Sequence, residues 1–510
     1  EFDLKWDRIM SSRPGKSENP PNHHHMCVIG RFCIPSLVNA PDRIKMPYLL
    51  RDGEHIPISW EAATEEVARV LSEANPERVG FIGSPNLSSE SAYVLTKLAR
   101  VAVKCPNIDF RGSDFPALIH KELAVAEDFE RIKTLDYLKE VDWIISVGGD
   151  FVKTHQVVAK IVYKEVRAGK PLIVLGAVGQ NLQRWAAEYV DLAPKDFEKV
   201  LSKLASHDSK LPGVDPSQAE RIAKITQNGK GAILVGSHIF ESSEPGKVLR
   251  ALVRVAGDDG ALIPLYPLGN EAGVIKAGLR PELLPGPTSV TDKDASSQVA
   301  KSWGGGNVAD GLDIQELRQK AKKGNLDVLY IIDGSVPLDG FEKVPTIIYQ
   351  SPYPSEWVDK ATIILPSTTF VEESGTFVNL ELRTLKLASL AKAPGKAKED
   401  WKIFTEVANK ILDKGFGFTK SSDVWNELSR FTRNIEVGGH AQRASWKPVT
   451  REETEWNSKY RGAIIASRIE DLASFMEKLP ERDRTPSKLS LEELVKHVEN
   501  EHKRKSQEAV

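Results

Sequence analysis

The densest concentration of metal-ligating side chains is His23–Cys33, "HHHMCVIGRFC", with three consecutive histidines and two of the chain's three cysteines. Thiolates and neutral imidazoles are the ligands zinc takes, so the stretch reads first as a metal site. Its spacing argues otherwise. Three adjacent histidines point in divergent directions, and no Cys-x-x-Cys pair exists to complete a tetrahedral set. A second group closes apolar runs: Gly83-Ser84, Gly148-Gly149-Asp150, Gly236-Ser237 and Asp333-Gly334-Ser335. Glycine there lets a ligand approach the backbone, whose N–H groups can meet phosphates. Glycines also end strands for packing reasons alone, and none of these forms a G-x-G-x-x-G or a Walker loop. The acidic pair Glu372-Glu373 in "FVEESGTFVN" is either a solvated loop around a tight turn at Gly375 or a ligand-facing acid. The 11 histidines are scattered, so no Ser–His–Asp constellation can be assembled.

The elements that must position these residues are legible from periodicity. "SWEAATEEVARVLSEA" predicts a helix capped by Ser59, with Ala63, Val67, Val70 and Leu71 facing a core. Buried apolar runs then alternate with amphipathic ones. "RVGFIGS" precedes "SSESAYVLTKLARVAV", and "VDWIISVGGD" precedes "HQVVAKIVYKEVRAG"; "PLIVLGAVG" follows. After the polar link Asp208–Ser217 come "GAILVGS", "ALIPLY", "LDVLYIIDGS", "PTIIYQS" and "ATIILPS". Continuous apolar strands between helices predict an α/β fold with two doubly wound, mostly parallel sheets covered on both faces. The first fifty residues, with "RPGKSENPPN" and "NAPDRIKMP", read as irregular. The expected domains are 1–58 as an irregular opening segment, 59–215 and 216–414 as the two α/β units, and 415–510 as an irregular and helical extension. Within the extension "SLEELVKHVENEHKRK" predicts an amphipathic helix with a Ser490/Glu493 capping box and a stripe of Leu491, Leu494, Val495 and Val498.

A chain of 510 residues exceeds one ordinary core, and a net charge of -2 lacks the basic excess that binds nucleic-acid phosphates. No apolar run approaches the ~20 residues of a spanning helix. Three cysteines cannot make a disulfide framework and point to a reducing, cytoplasmic compartment. The first residue is Glu1, without an apolar signal region, which suggests a fragment or a subunit whose start lies elsewhere.

Five stretches, in order, resemble one family. They are "VIGRFCIPSLVNAPDRIKMPYLLRDGEHIPISWEAA", "GSPNLSSESAYVLTKLAR", "VDWIISVGGDFVKTHQVVAKIVYKEVRAGKPLIVLG", "GALIPLYPLGNEAGVIKAGLRPELLPG" and "VDKATIILPSTTFVEESGTFVNLELRTLKLASLAKAPGKAKEDW". Together they resemble the molybdopterin oxidoreductase superfamily, which includes formate dehydrogenase large subunits and the G-type subunit of NADH-quinone oxidoreductase. The fourth carries the family's Asn-x-x-Gly as Asn270 and Gly273; the fifth carries its Glu-x-Gly-Thr-x-x-Asn as Glu373, Gly375 and Asn379.

The resemblance implies a pterin-bound molybdenum or tungsten between the two sheets and an iron–sulfur cluster beside it. Cys27 matches the last of four cluster cysteines; the other three would precede Glu1, since four thiolates are needed and only Cys27, Cys33 and Cys105 exist. Gly83, Ser84, Gly149, Asp150, Gly236, Asn270, Gly273, Glu373, Gly375 and Asn379 are the residues it nominates for the pterin cofactor. Departures from the pattern imply a degenerate pterin site. Ile29 stands where formate dehydrogenase-like members have a lysine joining cluster to pterin, and an apolar side chain makes no such link. "NIDFRGSDFPALIHK" offers only Ser113 near the place of the metal ligand, "LGAVG" replaces Asp-Pro-Arg, and too little chain follows Trp401 for a C-terminal barrel. These departures are shared with the G-type branch of the family. The expected function is therefore a scaffold and electron-transfer subunit whose partners are other subunits of a redox complex, placed at a membrane only through them. The alternatives are an active formate dehydrogenase-type enzyme and a cluster-free assembly module.

Overall fold

The computed structural model describes residues 1–5, 8–15, 23–110, 118–119, 122–123, 131–334 and 336–432. Asn22, Ser113, Ser335 and the segment Ser490–Lys505 lie outside the described residues.

The chain begins as an antiparallel hairpin, β1 (Phe2–Lys5) and β2 (Arg8–Ser12), followed by helix α1 (Val28–Val38). Strands β3 (Tyr48–Arg51) and β4 (Glu54–Pro57) turn on Asp52-Gly53, both at positive φ, as a two-residue Asp-Gly hairpin requires. The opening segment is thus ordered rather than irregular, and β3 and β4 extend the larger sheet. Helix α2 (Trp60–Glu73) starts where expected: Ser59 Oγ accepts from Ala62 N at 3.1 Å. Then follow β5 (Val79–Gly83), α3 (Ser89–Lys97) and β6 (Ile108–Phe110). All nine residues of α3 are buried, so it is a central helix rather than an amphipathic surface one.

Next come β7 (Trp143–Val147), α4 (Gln156–Arg167), β8 (Leu172–Leu175), β9 (Glu188–Val190), α5 (Phe197–Ala205), α6 (Pro216–Thr226), β10 (Gly231–Val235), α7 (Pro245–Ala256) and β11 (Ala261–Pro264). Short helix α8 (Glu271–Lys276), the small pair β12 (Leu283–Leu284) and β13 (Thr288–Ser289), α9 (Lys293–Trp303) and α10 (Ile314–Lys322) lead to β14 (Val328–Ile332), β15 (Thr346–Ser351) and β16 (Ile363–Pro366). Hairpin β17 (Gly375–Val378) and β18 (Thr384–Leu387), then α11 (Asp400–Ile411) and α12 (Ser421–Thr432), complete the described chain.

Two sheets result. The smaller runs β11-β10-β7-β8-β9, all parallel; the larger runs β4-β3-β16-β15-β14-β5-β6, parallel from β16 to β6. All eight runs read as strands are strands, each buried on both faces. Among the described residues there is no closed barrel. The expected division near Asp208–Ser217 is corrected: strands on both sides of it share the smaller sheet, while the larger draws on residues 48–110 and 328–366. The chain leaves the larger sheet after β6 and returns at β14. Local patterning marks each strand but not its neighbours, so an inserted sheet reads like a second one in tandem. Helices α2, α3, α11 and α12 cover one face of the larger sheet and α10 the other; α5 and α7 cover one face of the smaller and α4 the other. No helix among the described residues is long and apolar enough to cross a membrane.

Candidate functional site

Strand order reverses once in each sheet, and open α/β sheets bind ligands outside the carboxyl ends at that point. In the smaller sheet the reversal falls between β7 and β10, whose ends carry Gly149, Asp150 and Gly236. In the larger it falls between β5 and β14, whose ends carry Gly83, Ser84 and Asp333. The nominated glycines therefore gather at the two places where a ligand would sit.

At both places the backbone is already engaged. Gly236 N donates to Val147 O at 2.8 Å, Gly148 N to Leu175 O at 3.3 Å, and Gly179 N to Asp150 Oδ2 at 2.7 Å. A Cβ on Gly149 would lie 3.1 Å from Gly236 Cα, and one on Gly236 would collide with the Gly148 carbonyl. These glycines let neighbouring strand ends touch each other. Asp150 is buried, with Lys153 Nζ at 3.6 Å from Oδ2 and no hydrogen-bond partner for Oδ1. In the larger sheet Ser84 Oγ donates to Asp333 Oδ2 at 3.0 Å, and Asn86 Nδ2 donates to the same oxygen at 2.6 Å. The space a side chain on Gly83 would need is filled by Leu279.

The Asn270 and Glu373 motifs meet around α3 and β17. Asn270 is fully buried; its Nδ2 donates to Leu87 O at 2.7 Å and its Oδ1 accepts from Val378 N at 2.6 Å. Gly273, one turn on, leaves room for that amide. Thr376 N donates to Glu90 Oε2 at 2.7 Å, and Ser374 N to Glu399 Oε1 at 3.2 Å. Glu90 also crowds Gly375, where a Cβ would lie 2.9 Å from its Oε2. Asn379 closes the β17–β18 turn, its Oδ1 accepting from Glu381 N at 3.0 Å and Arg383 N at 2.9 Å.

The acidic pair is neither solvated nor alike. Glu372 is buried against Arg43, while Glu373 is 3% exposed with no partner for Oε2. Burial holds the Glu373 carboxyl well above the usual carboxylate range, reinforced by Asp400, Glu399, Glu90 and Glu372 around it. Burial likewise raises Glu90 to about 7. Asp400 is raised to about 7 by burial with Asp333 and Glu399 nearby, against hydrogen bonds from Gln350 and Ser367. Sequence reasoning missed Glu90, Glu399 and Asp400, although the last two stand in the "KEDW" that closes the fifth family stretch. Acids on a helix start usually signal a cap, which hid their convergence.

Cys27 is the N-cap of α1, its Sγ accepting from Gly30 N at 3.3 Å, and Cys33 lies half-buried further along the same helix. Burial, then Cys27, push the Cys33 thiol up. Cys105 is in the larger sheet's core, donating to Val79 O at 3.2 Å. Among the described residues no three His, Cys, Asp or Glu side chains converge to hold a metal. A four-thiolate cluster therefore does not fit this chain's own cysteines. A phosphate-bearing pterin fits poorly as well. The amides of Ser374 and Thr376, which such an anion could accept from, already donate to Glu399 and Glu90, and those carboxylates repel negative charge.

The comparisons agree with this architecture. The chain is 24% identical to the F420-dependent formate dehydrogenase 1 subunit alpha of Methanococcus maripaludis over 489 residues, covering 84% of this chain and 71% of that one. It is 24% identical to a G-type subunit of NADH-quinone oxidoreductase from Rhizobium meliloti, spanning 89% of this chain but only 57% of the relative. Its fold resembles acetylene hydratase from Pelobacter acetylenicus with a TM-score of 0.60 at 14% identity, covering 85% of this chain and 70% of that one. Residues 43–410 match the molybdopterin oxidoreductase family, and the chain belongs to that family.

Proposed function

We propose that this chain is a scaffold and electron-transfer subunit of a multi-subunit redox complex, resembling the G-type subunit of NADH-quinone oxidoreductase, with a degenerate pterin site. The observation that supports this reading is the use of Glu90 and Glu399 as acceptors for the Thr376 and Ser374 amides. Cys27 is then one ligand of a cluster whose other cysteines come from outside these residues, and partner subunits hold the complex at a cytoplasmic site or a membrane face. The test is metal and pterin analysis of the intact complex purified from its native source. Iron and acid-labile sulfide are expected, with neither molybdenum, tungsten nor released pterin assignable to this chain. One molybdenum or tungsten per chain, with pterin on denaturation, overturns the reading. That result would favour a formate dehydrogenase-type enzyme, which the unpartnered Oδ1 of Asp150 at the smaller sheet's reversal point supports.

A further inference from the structure

Helix α1 is made of apolar residues on nearly every side, yet only Val38 is buried. A helix apolar all round is normally covered. Phe32 is 65% exposed and Val28 39%, and next to them lie Leu4 of β1 and Met10 of β2. Strand β2 runs along α1, with Ser12 Oγ donating to Arg31 O at 2.9 Å and Asn39 Nδ2 donating to Ile9 O at 2.6 Å. Four of the six large hydrophobics exposed among the described residues thus share one face. A fifth, Leu390, adjoins Ala391 of the small core beneath, which also holds Ile9, Val38 and Val371. A contiguous apolar patch of this kind marks a surface that something covers. Its rim is basic: Arg13 is held by Glu1 and Asp3, whereas Arg8 and Arg31 are exposed and pair with no described carboxylate.

The chain itself supplies a matching segment beyond the described residues. Ser490–Lys505 carries Leu491, Leu494, Val495 and Val498 at helical spacing. On the same wheel Glu492 and Glu499 border that stripe on one side and Glu501 on the other. Residues 433–489 give it reach: as a random coil they span about 40 Å, against a radius of gyration of about 22 Å for a body of this size. We propose that Ser490–Lys505 docks as a helix on the exposed face of α1 and the β1–β2 hairpin. Its apolar stripe covers Val28, Phe32 and Met10, and its glutamates face Arg8 and Arg31. The docked segment shields Cys27 and Cys33, so the tail controls access to the two thiols of α1.

The thiols report on this directly. The full chain is treated with N-ethylmaleimide and the modification of each cysteine is followed by peptide mass spectrometry. Cys105, fully buried with its thiol pushed up to about 12, stays unmodified while the fold is intact. Substituting Leu494→Asp with Val498→Asp is expected to raise the rates at Cys27 and Cys33 about tenfold by releasing the segment. The surface triple Glu492→Lys, Glu499→Lys, Glu501→Lys should do the same without touching an apolar side chain, and Arg8→Glu with Arg31→Glu should restore protection to it. Equal rates in parent and variants overturn the proposal. So does protection that vanishes on dilution with a halving of mass, because the occupant would then be a second copy of the chain.

Discussion

Arg43 and Glu372 show how much one buried pair joins. The guanidinium donates to both carboxylate oxygens at 3.0 and 2.7 Å, and also to the carbonyls of Val38 and Pro352. It lies over the Tyr353 ring at 5.3 Å, with the two charged side chains 1% and 3% exposed. The pair ties the opening segment to the loop after β16. Truncating one partner strands the other charge in a low-dielectric setting. Arg43→Met is expected to cost about 3–5 kcal/mol of unfolding free energy, read from urea denaturation followed by tryptophan fluorescence. A loss indistinguishable from that of an exposed arginine such as Arg69 would refute the account. In the sequence Glu372 and Glu373 look equivalent. Their separate fates depend on a partner 329 positions away, which no local pattern reveals.

At the level of elements, Asn270 and Gly273 act as one clamp. The amide joins the loop before α3 to β17; Asn270 caps α8 and Gly273 lies within it. A methyl on Gly273 would collide with Asn270 Oδ1 and lie 2.5 Å from Ser89 Oγ. Gly273→Ala should therefore break two buried hydrogen bonds and destabilise by about 2 kcal/mol or more. Gly269→Ala is the control, since the nearest atom to its added Cβ is a Phe377 ring carbon at 4.0 Å. Denaturation midpoints measured side by side should separate the two. Matching midpoints would mean that the clamp contributes nothing. The Asn-x-x-Gly spacing is visible in the sequence, but its partners Leu87 and Val378 are not.

For the whole molecule, the acids between α3, β15, β17 and α11 make stability depend on pH. Glu90 and Asp400 hold protons up to about 7 when folded but ionise near the ordinary carboxylate range when unfolded. The unfolded state therefore binds fewer protons between those values. Stability is full below the unfolded pKa and falls as pH rises through the folded one. The groups around them are Glu372 and Glu373, Glu399 with Lys402, and Asp333; Arg43 answers only Glu372. Asp400→Asn keeps an acceptor for the Gln350 amide, 2.5 Å away, and removes the titration. Thermal unfolding at about pH 5 and about pH 8 should show a smaller drop for the variant than for the parent. Parallel drops would place the pH dependence elsewhere.

The same contrast of range separates what was legible from what was not. Strands β5, β7, β8, β10, β11, β14, β15 and β16, helix α2 with its Ser59 cap, and the glycines at strand ends were all readable in the sequence. Burial on two faces and a helical period leave their mark within a dozen residues. Even the Asp52-Gly53 hairpin carried its turn signal, obscured by proline-rich surroundings. Tertiary structure alone decided that β14–β16 join β5 and β6 across an inserted sheet. It also decided that Ser84 meets Asp333, 249 positions on, and that Glu90 and Glu399 satisfy the amides beside Gly375. Those choices are settled by hydrogen-bond and charge satisfaction between distant segments, and a side chain's chemistry names the bond it needs without naming the partner.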